Sequence, residues 1–160
     1  MILSKEEFIK KHQDVILTGI VTESYIEDML DMIEEGVKSD IKATRSQIRR
    51  IFTHMLKYQY QNDHQTRSWI NTIRDANRNL QDQMKTDKNV YNIFGDDMLN
   101  DIYEDALRDA KNETGLPLKV FPLSRPNDFT KDNIVDSDFI EEFLKKYAYT
   151  DYAKQTLHLL

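Results

Sequence analysis

The sequence predicts an all-α fold, a compact multi-helix bundle, and three observations carry that prediction. Apolar residues recur at intervals of three and four through most of the chain. No segment shows the period-two alternation of a half-buried strand. The four glycines, at 19, 36, 95 and 115, stand singly at positions where helices would end.

Each element follows from local signals. Ser4-Lys5-Glu6-Glu7 fits a capping box, so a first helix begins there. It turns Phe8, Ile9, Val15 and Ile16 inward before Gly19 stops it. Ser24-Tyr25-Ile26-Glu27 reads as a second box, opening a helix with Ile26, Met29, Leu30 and Ile33 as one buried stripe. Gly36 is its candidate end or a kink. A third helix, about Ser39 to Tyr60, puts Ile41, Ile48, Ile51, Phe52, Met55 and Leu56 on one face. After a turn at Gln61-Asn62-Asp63, with Asn62 or Asp63 as cap, a fourth helix carries Trp69, Ile73, Ala76, Leu80 and Met84.

A short helix from Asp87 to Phe94 ends at Gly95. The next spans Asp96 to Thr114, with Leu99, Ile102, Tyr103, Ala106 and Ala110 inward. Gly115 suits the left-handed C′ position, and Pro117 forbids continuation. Residues 116–129 hold all three prolines and are expected to form a non-helical crossing strap, pegged by Leu118, Val120, Phe121 and Phe129. Thr130 and Ser137 can cap two further helices. The last carries Phe139, Ile140, Phe143, Leu144 and Tyr147, and Thr150 divides the tail.

The 160 residues fit a single helical domain, 1–160, large enough to bury roughly 70% of its unfolded surface. The absence of Cys excludes a disulfide framework, a thiolate metal site and a Cys nucleophile, and suits a reducing compartment. The first residues lack a basic n-region and an apolar h-region, and no apolar run reaches the ~20 residues that span a bilayer. A cytoplasmic location is expected.

The formal net charge of −6 hides a segregation. Residues 1–37 carry three Lys/Arg against nine Asp/Glu, residues 38–88 eleven against five, and residues 89–160 eight against fourteen. The simplest expectation is that acidic and basic helices pair within the fold. The overall acidity argues against a dedicated DNA binder.

Three blocks resemble a known family. They are His54-Met55-Leu56-Lys57-Tyr58-Gln59-Tyr60-Gln61, then Arg67-Ser68-Trp69, then Glu113-Thr114-Gly115-Leu116-Pro117 with Phe121-Pro122. Their order and spacing resemble the bacterial domain of unknown function 29 family over about residues 24–139. The resemblance implies a compact helical domain and brings no activity with it. Residues 140–160 read as a C-terminal helical extension beyond the usual family end.

No Glu stands three residues before any of the four His, and no His-x-x-x-His occurs, so no metal ligands are assigned. No Gly-rich phosphate loop exists, so no cofactor is expected. His54 and His64, with Lys57, Tyr60 and Arg67, could support acid–base chemistry on a phosphodiester. The simpler reading makes His54 a satisfied core histidine, and no catalytic residue is assigned. Arg45 and Arg49, and Arg74 and Arg78, form short stripes that could touch nucleic acid. Pairing with the acidic second helix, Glu27 to Glu35, is the simpler reading.

The most suggestive stretch is the tail. Asp136, Asp138, Glu141, Glu142 and Asp151 stand beside Tyr147, Tyr149 and Tyr152. Tyr residues give large contact area at interface hot spots, and carboxylates steer a basic partner. These eight residues are the expected partner-binding set. The expected function is that of a non-enzymatic protein-binding module, specifically an immunity protein that occludes a bacterial toxin such as a basic nuclease. The alternatives are a phosphodiester-acting enzyme using His54 or His64, and a nucleic-acid accessory protein using the arginine stripes.

Overall fold

A computed structural model describes residues 2–160; Met1 lies outside the described residues. The described residues form helices and loops without a strand. The chain divides into two compact units, Met1–Lys42 and Ala43–Leu160.

In the first unit, the Ser4 capping box forms as expected, with Ser4 Oγ accepting from the Glu7 N–H at 3.1 Å and Glu7 answering at 3.2 Å. Helix α1 spans Lys5–Lys11 and α2 spans Gln13–Thr18. The break is at His12, whose backbone leaves helical geometry. Gly19 stops α2 at φ 73°, a left-handed conformation that favours glycine. Helix α3, Glu23–Tyr60, continues across the unit boundary and merges the two helices expected there. Gly36 neither ends nor separates them. A lone glycine costs a helix only about 1 kcal/mol, and good helix formers on both sides carry the hydrogen-bond ladder through it. The start is also shifted. Thr22, not Ser24, accepts the Tyr25 N–H, at 3.2 Å.

Phe8, His12 and Tyr25 pack as an aromatic cluster, with ring centroids 4.9–5.5 Å apart. Asp28 closes it, accepting from buried His12 Nε2 at 2.6 Å and from Lys11 Nζ at 2.8 Å. Those bonds, Lys11's first, hold the Asp28 carboxyl below its ordinary pKa. The expected burial of Ile9, Ile16, Ile26, Leu30 and Ile33 does not occur; all five are exposed. The reason is size. Two helices of seven and six residues cover one side of α3 and leave the adjacent stripe bare.

In the second unit, the carboxy-terminal half of α3 supplies the centre of the core: Ile48, Ile51, Phe52, Met55, Leu56 and Tyr58 are fully enclosed. After a 3-10 turn at Asn62–His64, α4 spans Arg67–Thr86 and buries Ile70, Ile73, Ala76 and Leu80. Its cap is Thr66, whose hydroxyl accepts from the Trp69 N–H at 3.2 Å; Asn62 and Asp63 occupy the 3-10 turn instead. Asp87 caps α5, Lys88–Asn92. Gly95 is the N-cap of α6, Asp96–Thr114, which ends as expected on Gly115 at φ 70°.

Residues 115–130 contain no α-helix, only a 3-10 turn at Leu118–Val120. Phe129 stacks on Phe52 at 5.2 Å, and Tyr103 meets both rings edge-on. Tyr103 also donates to the Pro122 carbonyl at 2.5 Å. Leu118 and Val120, expected as pegs, are exposed, because their turn lies at the surface and Phe121 takes the inward position against Tyr60. Helix α7 is Lys131–Ile134, α8 is Ser137–Lys146 and α9 is Asp151–Thr156. Asp136 rather than Ser137 caps α8, through bonds to the Asp138 and Phe139 N–H groups. Helix α4 packs on α5, α8 and α9, so the tail is seated on the core and not appended to it.

Candidate protein-interaction surface

The carboxy-terminal segment is held by one buried side chain. Gln65, 3% exposed, donates from Nε2 to the carbonyls of Tyr58 at 2.8 Å and Tyr147 at 2.6 Å. Its Oε1 accepts from the Tyr149 N–H at 2.8 Å, with the Thr150 N–H at 3.4 Å. The turn between α3 and α4 is thereby stitched to the link between α8 and α9. Nearby, the Tyr58 hydroxyl donates to the Leu144 carbonyl at 2.6 Å. Burial pushes that phenol's pKa well up, so it stays a donor. At the other end of α8, buried Asn77 donates to the Ile134 carbonyl at 2.7 Å. Nothing in the sequence marks a lone Gln or Asn as such a staple, and neither was anticipated.

Of the eight tail residues expected to meet a partner, the structure engages three internally. Asp136 caps α8. Glu141 takes a bidentate pair from Arg74, at 2.7 and 2.8 Å, and the guanidinium holds its carboxyl below the ordinary range. Tyr147 is half-buried, its ring 4.9 Å from Phe143 and its carbonyl bonded to Gln65. Asp138, Glu142, Tyr149, Asp151 and Tyr152 are exposed. Tyr149 and Tyr152 are 61% and 52% exposed, on a backbone that Gln65 and the Thr150 cap fix.

The arginines pair within the fold, but not with the acidic second helix. Arg49 reaches Asp109 bidentately at 2.6 and 2.8 Å, and Arg45 bonds Asp105 at 3.1 Å. These numbers rise together, so α3 and α6 run in the same direction along their contact. Arg74 serves Glu141, and Arg78 pairs with Asp75 on its own helix. The acidic partners are therefore α6 and α8, which sequence charge alone could not distinguish from residues 27–35.

His54 lies on α3, partly buried, its Nδ1–H donating to the Arg50 carbonyl at 3.0 Å. Burial lowers its pKa, and the ring is occupied by its own helix. His64 is exposed in the 3-10 turn, bonded to Asp63 at 2.9 Å. Trp69 is half-buried, with Lys57 Nζ 4.8 Å from its ring centre and Lys57 paired to Glu113 at 3.2 Å. Among the described residues no three His, Asp or Glu side chains are arranged to hold a metal ion. Among the described residues no helix is long and apolar enough to cross a membrane.

These features define an all-helical domain with a stapled carboxy-terminal face. The profile of the domain of unknown function DUF29 matches residues 9–140, and the chain belongs to that family. The match begins earlier than the resemblance at about residue 24 implied, taking in the last three residues of α1 and all of α2. It ends inside α8, so Tyr149, Asp151 and Tyr152 stand beyond it. No significant match is found among curated proteins or solved structures.

Proposed function

We propose that this protein is a non-enzymatic protein-binding module, and within that class a cytoplasmic immunity protein that neutralises a bacterial toxin. The observation that carries the reading is the pair Tyr149 and Tyr152, exposed beside Asp151 on a backbone fixed by Gln65. Rigid aromatic side chains lose little entropy on binding and supply hot-spot area, and a preordered backbone lowers the cost of association further. Asp138 and Glu142 on α8 add carboxylates that would answer the cationic groups with which a nuclease holds phosphate. The mechanism is steric: the module covers the toxin's cleft and needs no chemistry of its own.

The test is capture from the native cell with the full chain and with a Tyr149→Ala/Tyr152→Ala variant. The wild type should retain one stoichiometric partner carrying a toxic domain, and purified protein should inhibit that domain's activity. The variant should retain far less. A partner with no toxic activity, or one held equally by both, would overturn the reading.

A further inference from the structure

Helix α3 carries Ile26, Leu30, Ile33 and Val37 at intervals of four, three and four, the spacing of a helix–helix seam. All four are exposed, Leu30 at 59% and Ile33 at 56%. An amphipathic helix in water normally turns such a stripe inward, so a continuous bare one marks a contact. The flanks are unlike each other. On a helix of 3.6 residues per turn, Glu23, Glu27 and Glu34 run along one edge of the stripe. The other edge holds Met29, half-buried, and beyond it Tyr25, packed on Phe8 and His12. Among the described residues, the ion pairs of this unit use Asp28 and Glu34 and leave Glu23 and Glu27 to the solvent.

Charge decides the occupant. The first unit carries ten carboxylates against five lysines, and Lys38, the lysine on this edge, is already paired with Glu34 at 3.1 Å, so a second copy of this face would set carboxylate against carboxylate at Glu23 and Glu27. A helix with an apolar face and Lys or Arg along one edge satisfies both features at once. We propose that this face of the first unit is a docking site for a basic amphipathic helix of a partner protein, the helix-in-groove mode of recognition. It belongs to the first unit, whereas Tyr149 and Tyr152 belong to the second, and it holds whether or not the tail binds a toxin.

The test titrates the full chain with a synthetic helical peptide of Leu and Lys in heptad spacing, and with its Leu–Glu counterpart. The Leu–Lys peptide should bind one per chain, and the Leu–Glu peptide should not bind. Leu30→Ser/Ile33→Ser, at exposed positions, should keep the circular dichroism of the wild type and weaken binding by about tenfold or more. Glu23→Gln/Glu27→Gln provides a second variant, expected to weaken binding and reduce its dependence on salt. Equal binding of both peptides, or undiminished binding by the serine variant, would overturn the proposal. So would a dimer in sedimentation that the serine variant dissolves, since a second copy would then be the occupant.

Discussion

The side-chain carbonyl of Gln65 accepts the Tyr149 backbone N–H at 2.8 Å, across 84 positions of sequence. The same amide donates to Tyr58 and Tyr147, so one buried residue satisfies polar backbone groups from two segments, the end of α3 and the link between α8 and α9. Replacing it with Leu keeps much of the volume and leaves those groups without partners. Gln65→Leu should therefore destabilise by about 3 kcal/mol, measured by urea unfolding. A loss under about 1 kcal/mol would mean that water or a backbone shift replaces the amide.

The legibility of this fold in the sequence follows the range of the interactions involved. Helix periods and short-range caps are local, and the Ser4 box, the Gly19 and Gly115 ends and the whole of α6 are where the residues place them. Thr22 and Thr66 took over capping from Ser24 and from Asn62 or Asp63 because several nearby hydroxyls and carboxylates can do the same work. The fate of an apolar stripe is not local. Ile26, Leu30 and Ile33 have the same spacing as core residues, and only the shortness of α1 and α2 leaves them bare. The acidic, Tyr-rich composition of the tail is legible in the sequence, whereas the internal engagement of Asp136, Glu141 and Tyr147 depends on where α4 and Gln65 fall in space.

The Arg74–Glu141 pair sets a pH dependence. Glu141 has its pKa lowered in the folded state, chiefly by the bond from Arg74, so its contribution is present above the ordinary carboxylate value of 4.5. That contribution is lost as pH falls through the lowered folded pKa. Glu141→Gln should be less stable than wild type near neutral pH, and the two should converge well below 4.5. Parallel denaturation curves across acidic pH check this, and a constant gap would assign the effect to packing instead.

Trp69→Ala should cost about 2 kcal/mol, less than the ~3–5 kcal/mol of a fully enclosed aromatic, because the indole is only half-buried. Part of that cost belongs to Lys57, whose ammonium lies over the ring. A double-mutant cycle with Lys57→Met should give a coupling of about 0.5–1 kcal/mol. Zero coupling would reduce the contact to proximity.

The tail surface is best tested by point substitution, because deletion would remove part of the core. Residues 140–160 include Ile140, Phe143, Leu144, Ala153 and Leu157, all buried, and their loss would also uncover Tyr58 and Gln65. A truncated chain should therefore unfold and report nothing about binding. Reversing Glu141 has a similar fault, since it would strand Arg74. Asp138→Lys/Glu142→Lys alters exposed carboxylates and should mainly slow association with the captured partner and flatten its salt dependence. Tyr149→Ala or Tyr152→Ala should leave unfolding curves unchanged and mainly speed dissociation, by about 2 kcal/mol if the ring is central to the contact. Arg45→Ala and Arg50→Ala, both on α3, should leave both rates alone. Kinetics that respond to the arginines and ignore the tyrosines would move the interface to the basic helices and favour an anionic partner.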